Sequence, residues 1–277
     1  MRDIELGLGG YSPAPHADRR ELLEDEGARR RLLQELDRAG VRLAALNASG
    51  NALERAEDDA ALRDAIRLAP LLGVDRVVCM SGGAPALSGG GWFPGIEDAI
   101  EREWTTRVLP YWDEVAALAR SEDPRLRLCL ELEPGAAVYN VSTFERLAAL
   151  GDNLCVNLDP SHFFFQLVDP LAVIARLGKR IAFAHGKDAR FHSSRVALDG
   201  VLQRHLEPTW EYATVGHGHD GAWWGEFVAA LAAAGYSGVV SIEWEDARVA
   251  PETSVLEAAR LLGAASAPAP PSEAVTA

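Results

Sequence analysis

Cysteine is scarce in this chain, three in 277 residues, and none sits in a C-x-x-C arrangement. Cys79, Cys129 and Cys155 are odd in number and fall inside apolar strand-like runs, so they read as buried thiols rather than disulfide partners or metal ligands. Long apolar runs are missing as well: none approaches the ~18 residues of a membrane span. The start MRDIELGLGGYS lacks the basic region and apolar core of a signal peptide. A cytoplasmic protein with no membrane partner is expected. Positive charge is also short, with 27 Lys and Arg against 41 Asp and Glu and a net charge of −14. That balance opposes docking on a phosphate backbone, so nucleic acid is not an expected partner. The glycine-rich stretch SGGAPALSGGGWFPG at 81–95 has neither the order of a P-loop nor that of a dinucleotide fingerprint. It reads as a flexible loop that could cover a site.

What is present is a size and a period. A chain of this length with 48% hydrophobic content fits one α/β barrel as well as two ordinary domains, and the alternation of runs favours the single barrel. Residues 4–8 read as a first strand, 18–39 as a helix closed by Gly40, 41–46 as strand two, 54–72 as a helix ended by Gly73 and 76–80 as strand three. A helix over 96–120, strand four over 126–132 and a short helix over 143–150 follow. Strands five, six and eight fall at 154–158, 181–184 and 239–242, short and almost wholly apolar, as strands covered on both faces are. Strand seven is assigned to 213–215, before a helix over 223–234. This leaves 189–212 as a loop long enough for a lid or substrate wall. The expected fold is α/β, a single (β/α)8 TIM barrel over 1–264, with the proline- and alanine-rich 265–277 as a disordered tail.

Glu131, Asp159, His185 and Glu243 each stand near the C-terminal end of an apolar run. The intervals between them are 28, 26 and 58 residues, the last close to twice the others. One βα unit per short interval would bring all four to the mouth of a parallel barrel, where such folds carry their chemistry. Strand side chains alternate faces, so Glu131 and Glu133 point the same way ~6.6 Å apart along the strand. Asn157 with Asp159, His185 with Lys187, and Glu243 with Glu245 repeat that relation. Singly, a strand-end Glu is commonly solvated and a His commonly hydrogen-bonded. Four polar strand ends meeting at one mouth would repel without a shared cation, and Glu, Asp, His and Glu form a hard oxygen-and-imidazole set that suits a divalent ion. Tyr139 and Phe163 to Phe165 read as packing, while Trp223 and Trp224 fit either packing or substrate. In the His217-Gly-His219-Asp220 stretch one histidine, His217 by preference, is assigned to substrate contact. Arg190, Arg195 and Arg204 follow no phosphate-binding order and read as solvated charges.

At Glu131-Leu-Glu133-Pro134, Asn157-Leu-Asp159-Pro-Ser-His162, His185-Gly-Lys187-Asp188, Gly216-His217-Gly218-His219-Asp220 and Ile242-Glu243-Trp-Glu245-Asp246, the chain resembles the xylose isomerase-like TIM barrels of the sugar phosphate isomerase and epimerase family. The resemblance covers essentially everything except the tail. It implies one divalent metal ion held by Glu131, Asp159, His185 and Glu243, with Mn2+ the first expectation and Mg2+, Co2+ or Zn2+ the alternatives. It implies a small-molecule sugar or cyclitol substrate and is compatible with a homo-oligomer. Glu133 departs from the pattern: many relatives carry His there, and the added carboxylate alters substrate contacts or supplies another acid/base group.

The expected function is a metal-dependent isomerase or epimerase of a sugar or related polyhydroxy carbonyl compound, acting through an enediolate stabilised by the metal. Glu131 and Glu243 are its acid/base pair. Glu133, His162, Lys187, His217 and Asn47 are its expected substrate contacts, and Asp188 orients Lys187 or a neighbouring loop. The same enolate can expel a β-substituent, which makes an inosose-type dehydratase or a 3-oxo-glycoside-cleaving lyase the alternative. An endonuclease IV-like nuclease would need more metal ligands and a basic face, and a non-catalytic sugar-binding barrel would share the fold.

Overall fold

Short apolar strands joined by amphipathic helices place consecutive strands side by side, as right-handed βα crossovers do. The computed structural model describes residues 1–12, 14–83, 94–203 and 206–266. One parallel sheet runs in the order β1 (Asp3–Gly7), β2 (Arg42–Asn47), β3 (Arg76–Met80), β4 (Arg127–Glu131), β5 (Leu154–Leu158), β6 (Ile181–Gly186) and β9 (Val240–Ile242). These seven staves make a nearly closed barrel wrapped by helices, the α/β barrel expected from the sequence. Among the described residues no ladder joins β9 back to β1, which leaves a seam there.

The helical layer follows its local chemistry. The stretch expected as one helix over 18–39 is two, α1 (Arg19–Glu24) and α2 (Glu26–Ala39). Asp25 is extended between them, and its carboxylate accepts the Gly27 N–H to start the second. After α3 (Ala56–Leu71) come α4 (Ile96–Glu103), a π-helical segment at Trp104–Val108 and α5 (Leu109–Glu122). Pro110 has no N–H for the Thr106 carbonyl, and the Leu109 N–H reaches back to Trp104 O instead, so the ladder widens there. Asn140 and Thr143 form a capping box on α6 (Val141–Ala148). The short α7 (Ser161–Phe164), α8 (Pro170–Leu177), α9 (Ser193–Asp199), α10 (Gly221–Ala233) and α11 (Pro251–Ala265) complete the layer. No helix among the described residues is long and apolar enough to cross a membrane.

Strand seven is not where the sequence put it. Ala213 ends β8 (Trp210–Ala213), which turns back antiparallel on β7 (Asp188–Phe191), while Thr214 and Val215 lie outside any strand. The sheet passes from β6 directly to β9, with His185 opposite Ser241. Alternation along β7 and β8 puts Ala189, Phe191, Trp210 and Tyr212 on one face. This face packs with Phe164 and Phe165 in a small cluster of its own, so the hairpin's apolar surface is satisfied outside the barrel wall. The long loop expected at 189–212 is therefore largely this hairpin and α9. Most of the glycine-rich loop (84–93), Arg204 and most of the tail (267–277) lie outside the described residues.

The barrel interior is layered. Ala45, Val78, Cys129, Cys155 and Phe183 fill its lower part, with Cys129 and Cys155 in register across β4 and β5. Cys79 packs in the larger cluster that includes helical residues such as Trp112 and Val115. All three thiols are free and buried.

Candidate active site

Above the thiols the interior turns polar. Glu131, the last residue of β4, lies opposite Asn157 of β5, and Asp159 follows β5 directly. His185 lies near the end of β6, and Glu243 follows β9, its N–H bonded to Gly186 O at 3.2 Å. One donor atom from each of Glu131, Asp159, His185 and Glu243 lies within 4.8 Å of the others. Nδ1 of His185 stands 3.1 Å from Glu243 Oε2, 3.5 Å from Glu131 Oε1 and 4.0 Å from Asp159 Oδ2. Asp159 Oδ1 accepts the Ser161 N–H at 2.8 Å, whereas its buried Oδ2 accepts no hydrogen bond from the described residues. The Lys187 ammonium is 3.1 Å from that oxygen but is not directed along a hydrogen bond. An unsatisfied carboxylate oxygen beside two further carboxylates and an imidazole nitrogen fits a divalent cation.

Lys187 is almost fully buried, with its Nζ 2.8 Å from Glu243 Oε2, 2.9 Å from Glu245 Oε1 and 4.7 Å from the Tyr212 ring centroid. The carboxylates offset the cost of burying the ammonium. Burial opposes its charged form, but Asp159, Glu243, Glu131 and Glu245 carry its pKa well above the usual lysine value. Burial likewise pushes Glu131 upward, yet His185, His162 and Lys187 hold it well below the ordinary carboxylate value. Glu243 is brought down to about 2, burial being overcome chiefly by Lys187, with Glu131 opposing and His185 assisting. Burial opposes a charged His185, and Glu5, Glu131 and Glu243 raise its pKa well above the usual histidine value.

Two neighbours behave differently. His162 places Nε2 3.0 Å from Glu131 Oε1 and Nδ1 3.2 Å from the Tyr212 hydroxyl. Burial and Lys187 oppose its charged form, but Asp159 and Glu131 raise its pKa. Glu133 is the carboxyl in the mouth whose pKa rises, first by burial and then by Glu131, against the pull of His162.

The other residues singled out from the sequence separate clearly. Asn47 donates Nδ2 to Glu5 Oε1 at 2.6 Å. His217 faces outward, 38% exposed and 3.0 Å from Glu257 on α11, so it does not join the cluster. Its loop is held by Asp188, whose buried Oδ2 accepts the N–H groups of Gly216, Gly218 and His219, each at 3.0 Å. The partner histidine, His219, bonds Asp188 Oδ1 at 2.7 Å and stacks on Phe164 at 3.8 Å. A Cβ on Gly218 would meet Ala189 O at 2.1 Å, so that turn admits only glycine. Phe165 stacks on Trp210 at 4.0 Å and Trp223 on Phe227 at 5.5 Å, and both pairs serve packing. Arg190 faces Glu211 and Asp246, and Arg195 faces Glu207, as charges neutralised within the protein.

Two site residues were not singled out from sequence. Glu5 in β1 lies 2.9 Å from Nε2 of His185; its signal was an acid between Ile4 and Leu6 in an apolar run. Tyr212 was hidden because its strand pairs outside the barrel sheet. A cleft of about 470 Å3 follows the seam and reaches the cluster, lined in part by Glu5, Asn47, His185 and Glu243.

The xylose isomerase-like TIM barrel family model matches residues 4–265. An uncharacterised protein of Bacillus subtilis (strain 168), YfiH, is 35% identical over 276 residues, covering 91% of this chain and 87% of that one. Among solved structures, the IOLI protein with a bound zinc atom superposes with a TM-score of 0.63 at 18% identity, over 95% of this chain and 87% of that one. D-psicose 3-epimerase from Clostridium cellulolyticum H10, solved with D-tagatose, gives 0.56 at 17% identity, over 89% and 86%.

Proposed function

Given that the chain belongs to the xylose isomerase-like TIM barrel family, we propose that it is a divalent-metal-dependent isomerase or epimerase of a sugar or related polyhydroxy carbonyl compound. The observation that carries this reading is the convergence of Glu131, Asp159, His185 and Glu243 within 4.8 Å at the C-terminal ends of four staves. The zinc atom in the IOLI protein and the D-tagatose in the epimerase are consistent with it. Mn2+ is the preferred ion, and Mg2+, Co2+ or Zn2+ suit the same donors. A bound cation would draw the negative charge of an enediolate onto the carbonyl and hydroxyl oxygens of an α-hydroxy carbonyl substrate.

Glu131 and Glu243 approach from β4 and β9, on separate strands. Both are held ionised, so each begins as a base able to take a proton from the carbon beside the carbonyl. Return of a proton to a different carbon or face needs a group that holds one. His162, bonded to Glu131 and raised in pKa, can recharge that carboxylate. Lys187 keeps the carboxylate cluster from repelling itself and donates to substrate hydroxyls. Glu133 fits a substrate contact, whereas Asn47 is engaged with Glu5 and supports the site from behind.

Glu133 favours a second reading. A carboxyl whose pKa is raised by burial holds its proton more readily than its neighbours and can give it to a departing hydroxyl or glycosyl oxygen, which would turn the same proton abstraction into elimination by an inosose-type dehydratase or a 3-oxo-glycoside lyase. Metal analysis of the purified protein, then incubation with ketoses, inososes and 3-oxo-glycosides in D2O, separates the two. Deuterium in an isomer of otherwise unchanged mass supports isomerisation or epimerisation, and loss of water or an aglycone supports elimination. Protein that retains no divalent ion and exchanges no substrate hydrogen would remove both readings.

A further inference from the structure

An acidic side chain inside an apolar strand needs a partner, and Glu5 has two. The register of β1 against β2 slips between Ile4, opposite Leu43, and Glu5, opposite Ala45. Such a slip re-aims side chains next to a functional site, and here it sets Glu5 beside Ala45, a residue of the barrel interior. Glu5 Oε1 accepts the Asn47 amide at 2.6 Å, and the Asn47 side-chain oxygen accepts the Ser49 N–H at 2.8 Å. That second bond fixes which end of the amide faces Glu5. Glu5 Oε2 lies 2.9 Å from Nε2 of His185, 180 residues further along the chain.

A carboxylate only accepts, so this contact requires the proton on His185 Nε2, and Nδ1 faces Glu131, Asp159 and Glu243, with the Asn157 amide nitrogen 3.2 Å away. Glu5 itself is not a member of the four-residue group. We propose that Glu5 is a positioning residue: it locks the His185 ring and its Nε2–H tautomer so that Nδ1 is presented to the cation, and it ties β1 to β6 across the seam that no ladder closes. This rests on the reading of the four-residue group as a cation site. A partner of this kind raises the basicity of an imidazole ligand and fixes its ring.

The test is calorimetric titration of Mn2+ into wild type, Glu5→Ala and Glu5→Gln at one pH, with 15N spectra of the histidine side chains in the Zn2+-loaded protein. Glu5→Ala is expected to weaken Mn2+ binding about 10–100-fold, and Glu5→Gln, whose oxygen can accept from Nε2 only by turning its NH2 onto the Asn47 amide, to recover part of the loss. Wild type is expected to show a protonated Nε2 and a metal-bound Nδ1 at His185. Binding by Glu5→Ala within about threefold of wild type, or a His185 that carries its proton on Nδ1, overturns the proposal. Should the Ala variant fail to fold, the wild-type spectrum and Glu5→Gln decide. Wild type that binds neither Mn2+ nor Zn2+ would overturn the cation site itself, a different result from a cation site indifferent to Glu5.

Discussion

On the β4–β6 flank of the mouth, Glu131, Asp159 and His185 stand on adjacent laddered staves with side chains no more than 7% exposed. On the β9 flank, Glu243 follows a three-residue strand, is 36% exposed, and borders the seam toward β1. The first flank is fixed by backbone pairing on both sides. The second is paired to β6 alone, with the Glu243 N–H on Gly186 O, and its carboxylate is held by Lys187. Rigid side chains favour a preset geometry, while the third carboxylate, Glu243, is the least constrained of the four residues. The proposed acid/base pair draws one member from each flank.

Substituting the two members separately gives the largest contrast. Glu131→Gln is expected to lower kcat about 10²–10⁴-fold and to weaken Mn2+ binding by more than the roughly 10–100-fold loss that follows removal of an outer partner. Glu243→Gln should lose turnover on the same scale while retaining Mn2+ within about tenfold. Equal losses of metal in both variants, read by calorimetry, would erase the distinction between the flanks.

Lys187→Met removes the ammonium that links them. Breaking a buried ion pair costs about 3–5 kcal/mol, and the low end applies because Glu243 and Glu245 are partly solvated. The metal-free variant is expected to unfold at lower urea than wild type, with Mn2+ narrowing the gap as it replaces the missing charge. A gap that Mn2+ leaves unchanged would place Lys187 outside the charge balance of the site.

Acidity should act on the carboxylates and on the imidazole of the mouth in opposite senses. Glu131 and Glu243 have folded pKa values below the ordinary 4.5, so their contribution to stability is present above about 4.5 and lost as pH falls through the folded values, about 2 for Glu243. His185 is raised above 6.5, so its contribution is complete below 6.5 and lost as pH rises through the folded value. Metal-free protein should therefore show its greatest contribution from the mouth between about 4.5 and 6.5. A cation needs neutral Nδ1, so Mn2+ affinity should rise over the alkaline range in which metal-free stability declines. Urea midpoints with and without Mn2+ across pH check this, and parallel profiles would contradict it. The smallest effect belongs to His217→Ala: its exposed pair with Glu257 contributes about 0–1 kcal/mol, and turnover should be unchanged. A raised KM would return His217 to the substrate site.

Much of this site could be read from the chain because strand periodicity and ligand chemistry are local or repeat at one unit's length. Glu131, Asp159, His185 and Glu243 each announce themselves at the end of an apolar run. Glu5 does not, since its meaning lies in a contact 180 residues away and in a register slip that periodicity ignores. Asn47 stood at a strand end as its neighbours did, yet its amide faces Glu5. The strand expected at 213–215 failed for a tertiary reason: Trp210 and Tyr212 fold back on β7 and pack with Phe164 and Phe165, contacts that strand periodicity does not register. His217 and His219 look alike in sequence, and their contacts distinguish them: His219 bonds Asp188 and stacks on Phe164, while His217 faces Glu257.

The seam also sets an order of events during synthesis. The first three members of the mouth leave the ribosome at intervals of 28 and 26 residues, and Glu243 follows 58 residues after His185. At about 5–20 residues per second that interval lasts roughly 3–12 s, during which β1 waits for the stave across the seam and the nascent mouth lacks its third carboxylate. Lys187 emerges two residues after His185. The growing chain thus carries its own counter-ion for Glu131 and Asp159 before either the last carboxylate or any captured cation takes its place beside them.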